Sequence, residues 1–209
     1  MEQARPISPS EFWVWKNNRE EYYKKYILLE DTFIETEKMK LGTAIHLAFE
    51  GVDYIEYIKK NNLEKHKEII EKILKNEIPI IPEKEVWLGT YGKYYEETEC
   101  YLSGRADGID REKNIIYEIK TSRYHWNEYM LNQNKAVIHY SLLYNDTFKV
   151  IPKIKLISCS TKDGTIKILD RDIDENCIKN YIKEIKDMVT ELKKIGWYEK
   201  RKSIWKKDI

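Results

Sequence analysis

The chain has 209 residues, 42% hydrophobic and 12% aromatic, which is enough to bury a sizeable core within one domain and excludes a disordered chain. Lysine and arginine number 37 against 36 aspartates and glutamates, so net charge gives no warrant for nucleic-acid binding. No stretch approaches the ~18 consecutive apolar residues of a membrane span, the opening MEQARPISPS lacks a secretory pattern, and Cys100, Cys159 and Cys177 form no C-x-x-C pair for zinc or a disulfide framework. A soluble, cytoplasmic protein with buried, apolar-like cysteines is the expectation.

In chain order, SPSEFWVWKNNREEYYKKYIL reads as a helix, with Ser8 as its cap, Pro9 at the first helical position and Glu11 where a capping box needs it. Phe12, Trp15, Tyr22, Tyr23 and Tyr26 recur along it at near-helical spacing. A second helix is predicted over EKMKLGTAIHLAFEGVDYIEYIKKN and a third over EKHKEIIEKILKN, after which Pro79 and Pro82 break the run. VWLGTYG, EETECYLSGRADGID and NIIYEIKTS then read as strands joined by short turns. A helix from Trp126 to Tyr144, strands PKIKLISCS and TIKILDRDI around the turn TKDG, and a helix from Asp174 to Ile195 complete the pattern. The order predicts one α/β domain (α+β, with a mixed sheet) and helices packed on the sheet. It divides into a helical part over 7–78, sheet and helices over 84–195, and a basic aromatic tail over 196–209. That tail, with Trp197, Tyr198 and Trp205 among lysines, suits either phosphate and base contacts or rings packed on the body.

GRADGIDREKNIIYEIKT holds the chemistry. A turn centred on Glu112 and Lys113 pairs Asp110 with Ile115 and brings Asp107 opposite Glu118. Lys120 shares the face of Glu118, while Ile115 and Ile119 point beneath. Two carboxylates and an ammonium suit Mg²⁺ or Mn²⁺ that keeps several waters and takes its remaining ligands from a phosphate. The lysine would orient or deprotonate a water, or stabilise developing charge. The same spacing also fits an exposed hairpin whose Lys120 merely bridges the two acids.

These residues resemble the PD-(D/E)XK nuclease superfamily, and within it the RecB-like branch of phage and CRISPR-associated nucleases. The G-x-x-D strand and the (D/E)-x-K-[TS] strand are matched by Gly104, Asp107, Glu118, Lys120 and Thr121, and the upstream G-x-x-x-H helix by Gly42 and His46. Ser8, Ser10, Phe12, Tyr22, Tyr23 and Tyr26 match the family's opening helix. Of its later Q-x-x-x-Y helix only Tyr140 is kept; Ala136 stands at the glutamine, and Gln133, two helical turns before Tyr140, is the substitute. The resemblance implies a restriction-endonuclease-like core. It implies a site in which His46, Asp107, Glu118 and the Ile119 carbonyl hold Mg²⁺ or Mn²⁺, Lys120 serves the nucleophilic water, and Thr121, Gln133 and Tyr140 support the site or touch substrate. The implied activity is metal-dependent hydrolysis of DNA, single-stranded or with free ends, by an exonuclease more than an endonuclease, in viral or mobile-element DNA processing (host cytoplasm if viral). Relatives that carry an iron–sulfur cluster use a first-helix cysteine and three near the carboxyl end. Asn17 and Asn18 stand at the first position and no cysteine follows Cys177, so no such cluster is expected. No G-x-x-x-x-G-K-[ST] phosphate loop is present, so unwinding would fall to a replication or recombination partner protein. A catalytically silent nucleic-acid-binding protein on this fold and a restriction-type endonuclease are the alternatives.

Overall fold

A computed structural model describes residues 5–30, 34–89 and 94–201. Helix α1 (Pro9–Asn17) starts as its sequence dictates, with the Ser8 hydroxyl accepting from the Glu11 amide at 3.2 Å and Pro9 in the first turn. The predicted capping box is only half made, because the Glu11 carboxylate turns inward. Asn18 then ends the predicted long helix and caps a new one, accepting from Glu21 N. This α2 (Arg19–Tyr22) runs on into a π-helical stretch, Tyr23–Leu28. The second predicted helix is likewise two, α3 (Glu37–Glu50) and α4 (Tyr54–Lys60), separated by Gly51 at φ 80° and the cap Asp53. After a short 3₁₀ turn, α5 (Lys67–Leu74) closes the helical part.

The sheet begins with β1 (Glu83–Leu88). Where one long strand is predicted over 96–110, a small hairpin of β2 (Tyr94–Tyr95) and β3 (Cys100–Tyr101) precedes β4 (Gly104–Asp110). β5 (Ile115–Ser122) returns from it. The predicted 126–144 helix is α6 (Glu128–Gln133) and α7 (Lys135–Phe148), divided by Asn134, whose side chain caps α7. β6 (Lys153–Ser160), β7 (Ile166–Asp172) and α8 (Glu175–Lys194) follow. The main sheet has the order β1-β4-β5-β6-β7; β5 and β6 are parallel and its other neighbours antiparallel. A mixed five-stranded sheet flanked by helices is a restriction-endonuclease-like fold.

Alternation along β5 supplies both halves of the core. Ile115, Tyr117 and Ile119 pack with Leu41, Ile45 and Phe49 of α3 and with α4 and α5. Ile116 belongs to the opposite cluster with Leu143 and Tyr144 of α7 and Ile185 of α8. Cys100 and Cys159 are buried as expected, but Cys177, in the first turn of α8, is only partly so. Among the described residues no helix is long and apolar enough to cross a membrane.

Two polar features lie inside this core. The fully buried Glu11 carboxylate accepts from Arg5 Nη2 at 3.0 Å, Tyr22 OH at 3.0 Å and Arg201 Nε at 2.7 Å. Trp197 stacks on Tyr23 with ring centres 4.7 Å apart, and the Tyr198 hydroxyl donates to the Glu99 carbonyl at 3.4 Å. Two aromatics of the basic tail are therefore packed on the body; Trp205 lies outside the described residues. Elsewhere His139 is fully buried between the Ser103 carbonyl (Nε2, 3.1 Å) and the Tyr181 hydroxyl (Nδ1, 2.9 Å). A carbonyl can only accept, so Nε2 carries the proton, Nδ1 accepts, and the ring is neutral.

Glu11→Ala leaves Arg201 buried without a counter-charge and is expected to lower unfolding free energy by about 3–5 kcal/mol in denaturant titration. Burial pushes the His139 pKa down to about 4, whereas in the unfolded chain it is near the ordinary 6.5. Between these values the unfolded state binds a proton that the native state refuses, so stability falls as pH drops through that window, by up to about 3 kcal/mol. The difference between the pH–stability profiles of wild type and His139→Gln should show this acid limb.

Candidate active site

The hairpin forms in the predicted register, with Asp110 opposite Ile115, Ile109 opposite Ile116 and Gly108 opposite Tyr117. Asp110 fixes the turn by accepting from Lys113 N at 3.0 Å and from Lys113 Nζ at 3.1 Å. Pairing then stops. Continued by one step it would set Asp107 opposite Glu118, but Asp107 Oδ2 instead accepts from the Ile119 amide at 2.6 Å. A side-chain carboxylate stands where a strand carbonyl would, and β4 and β5 part there. On the other edge of β4 the ladder also skips Asp107. Lys84 pairs with Gly108 and Val86 with Ala106, while Glu85 between them has φ 53°, in the left-handed region. That conformation costs on the order of 1 kcal/mol for a residue with a Cβ.

Helices reach this gap from both faces of the sheet. A Cβ at Gly42 of α3 would lie 3.0 Å from Thr121 Oγ1, so the glycine lets α3 settle against the end of β5. One turn later, His46 Nδ1 is 3.6 Å from Asp107 Oδ1. Burial lowers the His46 pKa, the Lys120 charge lowers it further, and Glu118 and the Ile119 carbonyl act against them. The balance favours a neutral imidazole beside Asp107. From α7, the Tyr140 ring lies against β4, where a Cβ at Gly104 would be 2.8 Å from its Cε1. Burial, then Glu118 and Asp107, raise the Tyr140 pKa, so its phenol stays protonated.

Glu118 is 2% exposed. Its Oε1 pairs with Lys120 Nζ at 2.5 Å, and its Oε2 is buried with no hydrogen-bond partner. Burial opposes the Lys120 ammonium, yet the field and hydrogen bond of Glu118 outweigh it and raise the lysine's pKa. Asp107 is pushed well above the usual carboxylate range by burial and then by Glu118, against the pull of the Ile119 amide and Lys120. One lysine between two buried acids is too little positive charge.

A divalent cation fits that deficit. His46, Glu85 and Asp107 each offer a ligand atom, all within 4.8 Å of one another. The orphaned Glu118 Oε2 lies outside that group of three but close enough for its charge to act on both His46 and Asp107. Carboxylates and one imidazole suit Mg²⁺ or Mn²⁺. Glu85 is the residue that sequence reading missed. Burial raises its pKa, and Arg105 Nε, 2.7 Å from its Oε2, holds it down. In PEKEVWL it reads as one charge of a solvated strand, and only its place across from Asp107 brings it to the site.

His46, Asp107, Glu118 and Lys120 thus come together, with the Ile119 carbonyl facing the imidazole, Thr121 under Gly42 and Tyr140 over Gly104. Gln133 does not join them. It is exposed at the end of α6, and the break at Asn134 removes the continuous helix on which its two-turn register with Tyr140 rested.

No protein-family model and no curated protein matches the chain. Solved structures do. A candidate exonuclease from Eubacterium rectale superposes with a TM-score of 0.68 at 13% identity, over 92% of this chain and 82% of that one. The exonuclease LHK-Exo in complex with dAMP, an alkaline exonuclease from Laribacter hongkongensis, matches with a TM-score of 0.50 at 17% identity, over 94% of this chain and 92% of its own. At these identities the likeness is one of fold.

The close approach of Tyr140 to β4 is testable by a double-mutant cycle. Gly104→Ala should cost about 1–3 kcal/mol by overpacking, and most of that cost should vanish in a Tyr140→Ala background, a coupling that chemical denaturation would read directly.

Proposed function

We propose that this chain, which has the fold of the PD-(D/E)XK nucleases, is a metal-dependent deoxyribonuclease that hydrolyses phosphodiester bonds in DNA with free or unpaired ends. The observation that carries the reading is the buried, partnerless Glu118 Oε2 beside the His46–Glu85–Asp107 group, with Lys120 held 2.5 Å from the other Glu118 oxygen. A structural salt bridge would have no use for the orphaned oxygen or for a third and fourth ligand-type side chain around it.

His46, Glu85, Asp107, Glu118 and the Ile119 carbonyl would hold Mg²⁺ or Mn²⁺. When bound, the ion supplies Lewis-acid polarisation of the phosphate and a more acidic water. Against burial, Glu118 raises the Lys120 pKa, and as an ammonium Lys120 would orient the attacking water and steady charge on the phosphate. His46 Nδ1 lies 3.6 Å from Asp107 Oδ1, so the two would offer their ligand atoms to one ion. Tyr140 and Thr121 set the distances of α7 and α3 from the strands. The structural neighbours, exonucleases by name, support an exonuclease over an endonuclease, and the dAMP in the LHK-Exo complex supports DNA as the substrate. Strand separation would come from a replication or recombination partner, in viral or mobile-element DNA processing in the cytoplasm.

The test uses end-labelled single- and double-stranded DNA, linear and circular, with Mg²⁺, Mn²⁺ or chelator. Wild type should degrade linear DNA only with metal, spare circles, and lose at least about a hundredfold in rate in Glu118→Ala. Wild-type protein that binds DNA and leaves every substrate intact would make it a binding module instead.

A further inference from the structure

Beside the metal group, on the same stretch of β4, lies an exposed pair of side chains, one aromatic and one cationic. Trp87 of β1 and Arg105 of β4 are direct cross-strand partners. Trp87 is 48% exposed although it is the largest apolar side chain of its strand, and the Arg105 side chain is 56% exposed. The guanidinium lies over the indole, 5.9 Å from its centre. Val86, Leu88 and Ala106 pack into the α7 and α8 side of the core, so strand alternation turns Trp87 and Arg105 to the other face. Asp107, two residues beyond Arg105, shares that face and meets His46 there. Arg105 is anchored to the metal group through Glu85 at 2.7 Å. An indole and a guanidinium held side by side about two residues from a phosphodiester-cutting centre are the groups that stack an unpaired base and hold its phosphate.

Resting on the nuclease reading, we propose that Trp87 and Arg105 form the platform on which the single strand next to the scissile phosphate lies, a nucleobase stacking on Trp87 and the adjoining phosphate bound by Arg105. The partner is an unpaired stretch of DNA, since a base inside a duplex offers no free face to the indole. The binding is sequence-tolerant, because every base has such a face. Arg105 has a second duty: it orients the Glu85 carboxylate, so substrate grip and metal loading share one guanidinium.

The experiment measures binding of a fluorescein-labelled oligothymidylate by anisotropy, with Ca²⁺ in place of Mg²⁺, alongside melting temperatures. Trp87→Ala should weaken binding roughly five- to hundredfold with the salt dependence unchanged, and Trp87→Phe should recover much of it. Arg105→Gln should weaken binding and also reduce the slope of log affinity against log salt by about 0.7, one phosphate contact on a single strand. Trp13→Ala, which removes an equally exposed indole on α1, should bind as wild type does. The platform is refuted if Trp87→Ala binds like wild type, or if its only effect is a lower melting temperature, the mark of a pair that merely stabilises the edge strand. Those outcomes leave the nuclease reading standing. A wild-type protein that neither binds nor cuts DNA removes both.

Discussion

The buried Glu118 works against ionisation of the partly buried Asp107 beside it, and most of what is unusual in this fold makes that tolerable. The sheet itself gives way first. A regular ladder would set the Cβ atoms of the two acids about 5 Å apart on one face. Instead pairing ends at Gly108 and Tyr117, and Asp107 takes a backbone amide as its partner. Lys120 satisfies one oxygen of Glu118 and no more. What the protein leaves unbalanced is negative charge and lone pairs at a single point, which destabilises the metal-free fold and is what a dication would correct.

The gap stays open without loosening the domain because β5 is treated differently on its two sides. It is parallel to β6 over its whole length, from Ile115 opposite Lys153 to Ser122 opposite Ser160. Toward β4 it is paired at only three positions. One edge is a zipped ladder and the other a hairpin that splays, so Glu118, Ile119 and Lys120 stand on a rigid strand beside an unpaired neighbour. α3 and α7 then close on the gap from opposite faces, each at a glycine, Gly42 beneath Thr121 and Gly104 beneath Tyr140. Every group of the site is thereby carried on a helix or a strand, which holds geometry more tightly than a loop does.

Much of this was legible in the sequence, for reasons that also explain what was not. Turn residues and alternation determine the register of the hairpin, and Asp110 does face Ile115. The departure at Asp107 arises from competition between a side-chain and a backbone acceptor, which no pattern of polarity encodes. Glu85 was hidden because its role depends on a pairing between segments some twenty residues apart and on a positive φ at a residue with a Cβ. The helix breaks were legible in principle. Asn18 followed by Glu21 is a start signal in the middle of an aromatic run, and Asn134 repeats the device before α7. Continuous apolar periodicity outweighed both, and the second misreading carried Gln133 onto a helix face it does not occupy.

The clamp at the chain ends belongs to the same account. Glu11 and Arg201, 190 residues apart, meet at 2.7 Å in full burial, and the Arg201 Nη atoms find no partner there. A buried pair of this kind adds little net stability over a well-packed apolar pair, since desolvation offsets most of its attraction. What it does add is uniqueness: no apolar substitute would require one register between α1 and the segment after α8. Those two helices bracket α7, with Phe12 of α1 packed edge-on against Tyr181 of α8 and Tyr181 in turn bonded to His139 of α7. One turn of that helix presents His139 to the Ser103 carbonyl, and the next residue, Tyr140, lies on Gly104, three residues before Asp107 on the strand. The Phe12–Tyr181 ring contact, the Tyr181–His139 hydrogen bond and the packing of Tyr140 on Gly104 thus run from the helix that carries Glu11 to the strand that carries Asp107. The clamp itself is held by charge in a dry interior, where added salt has little access.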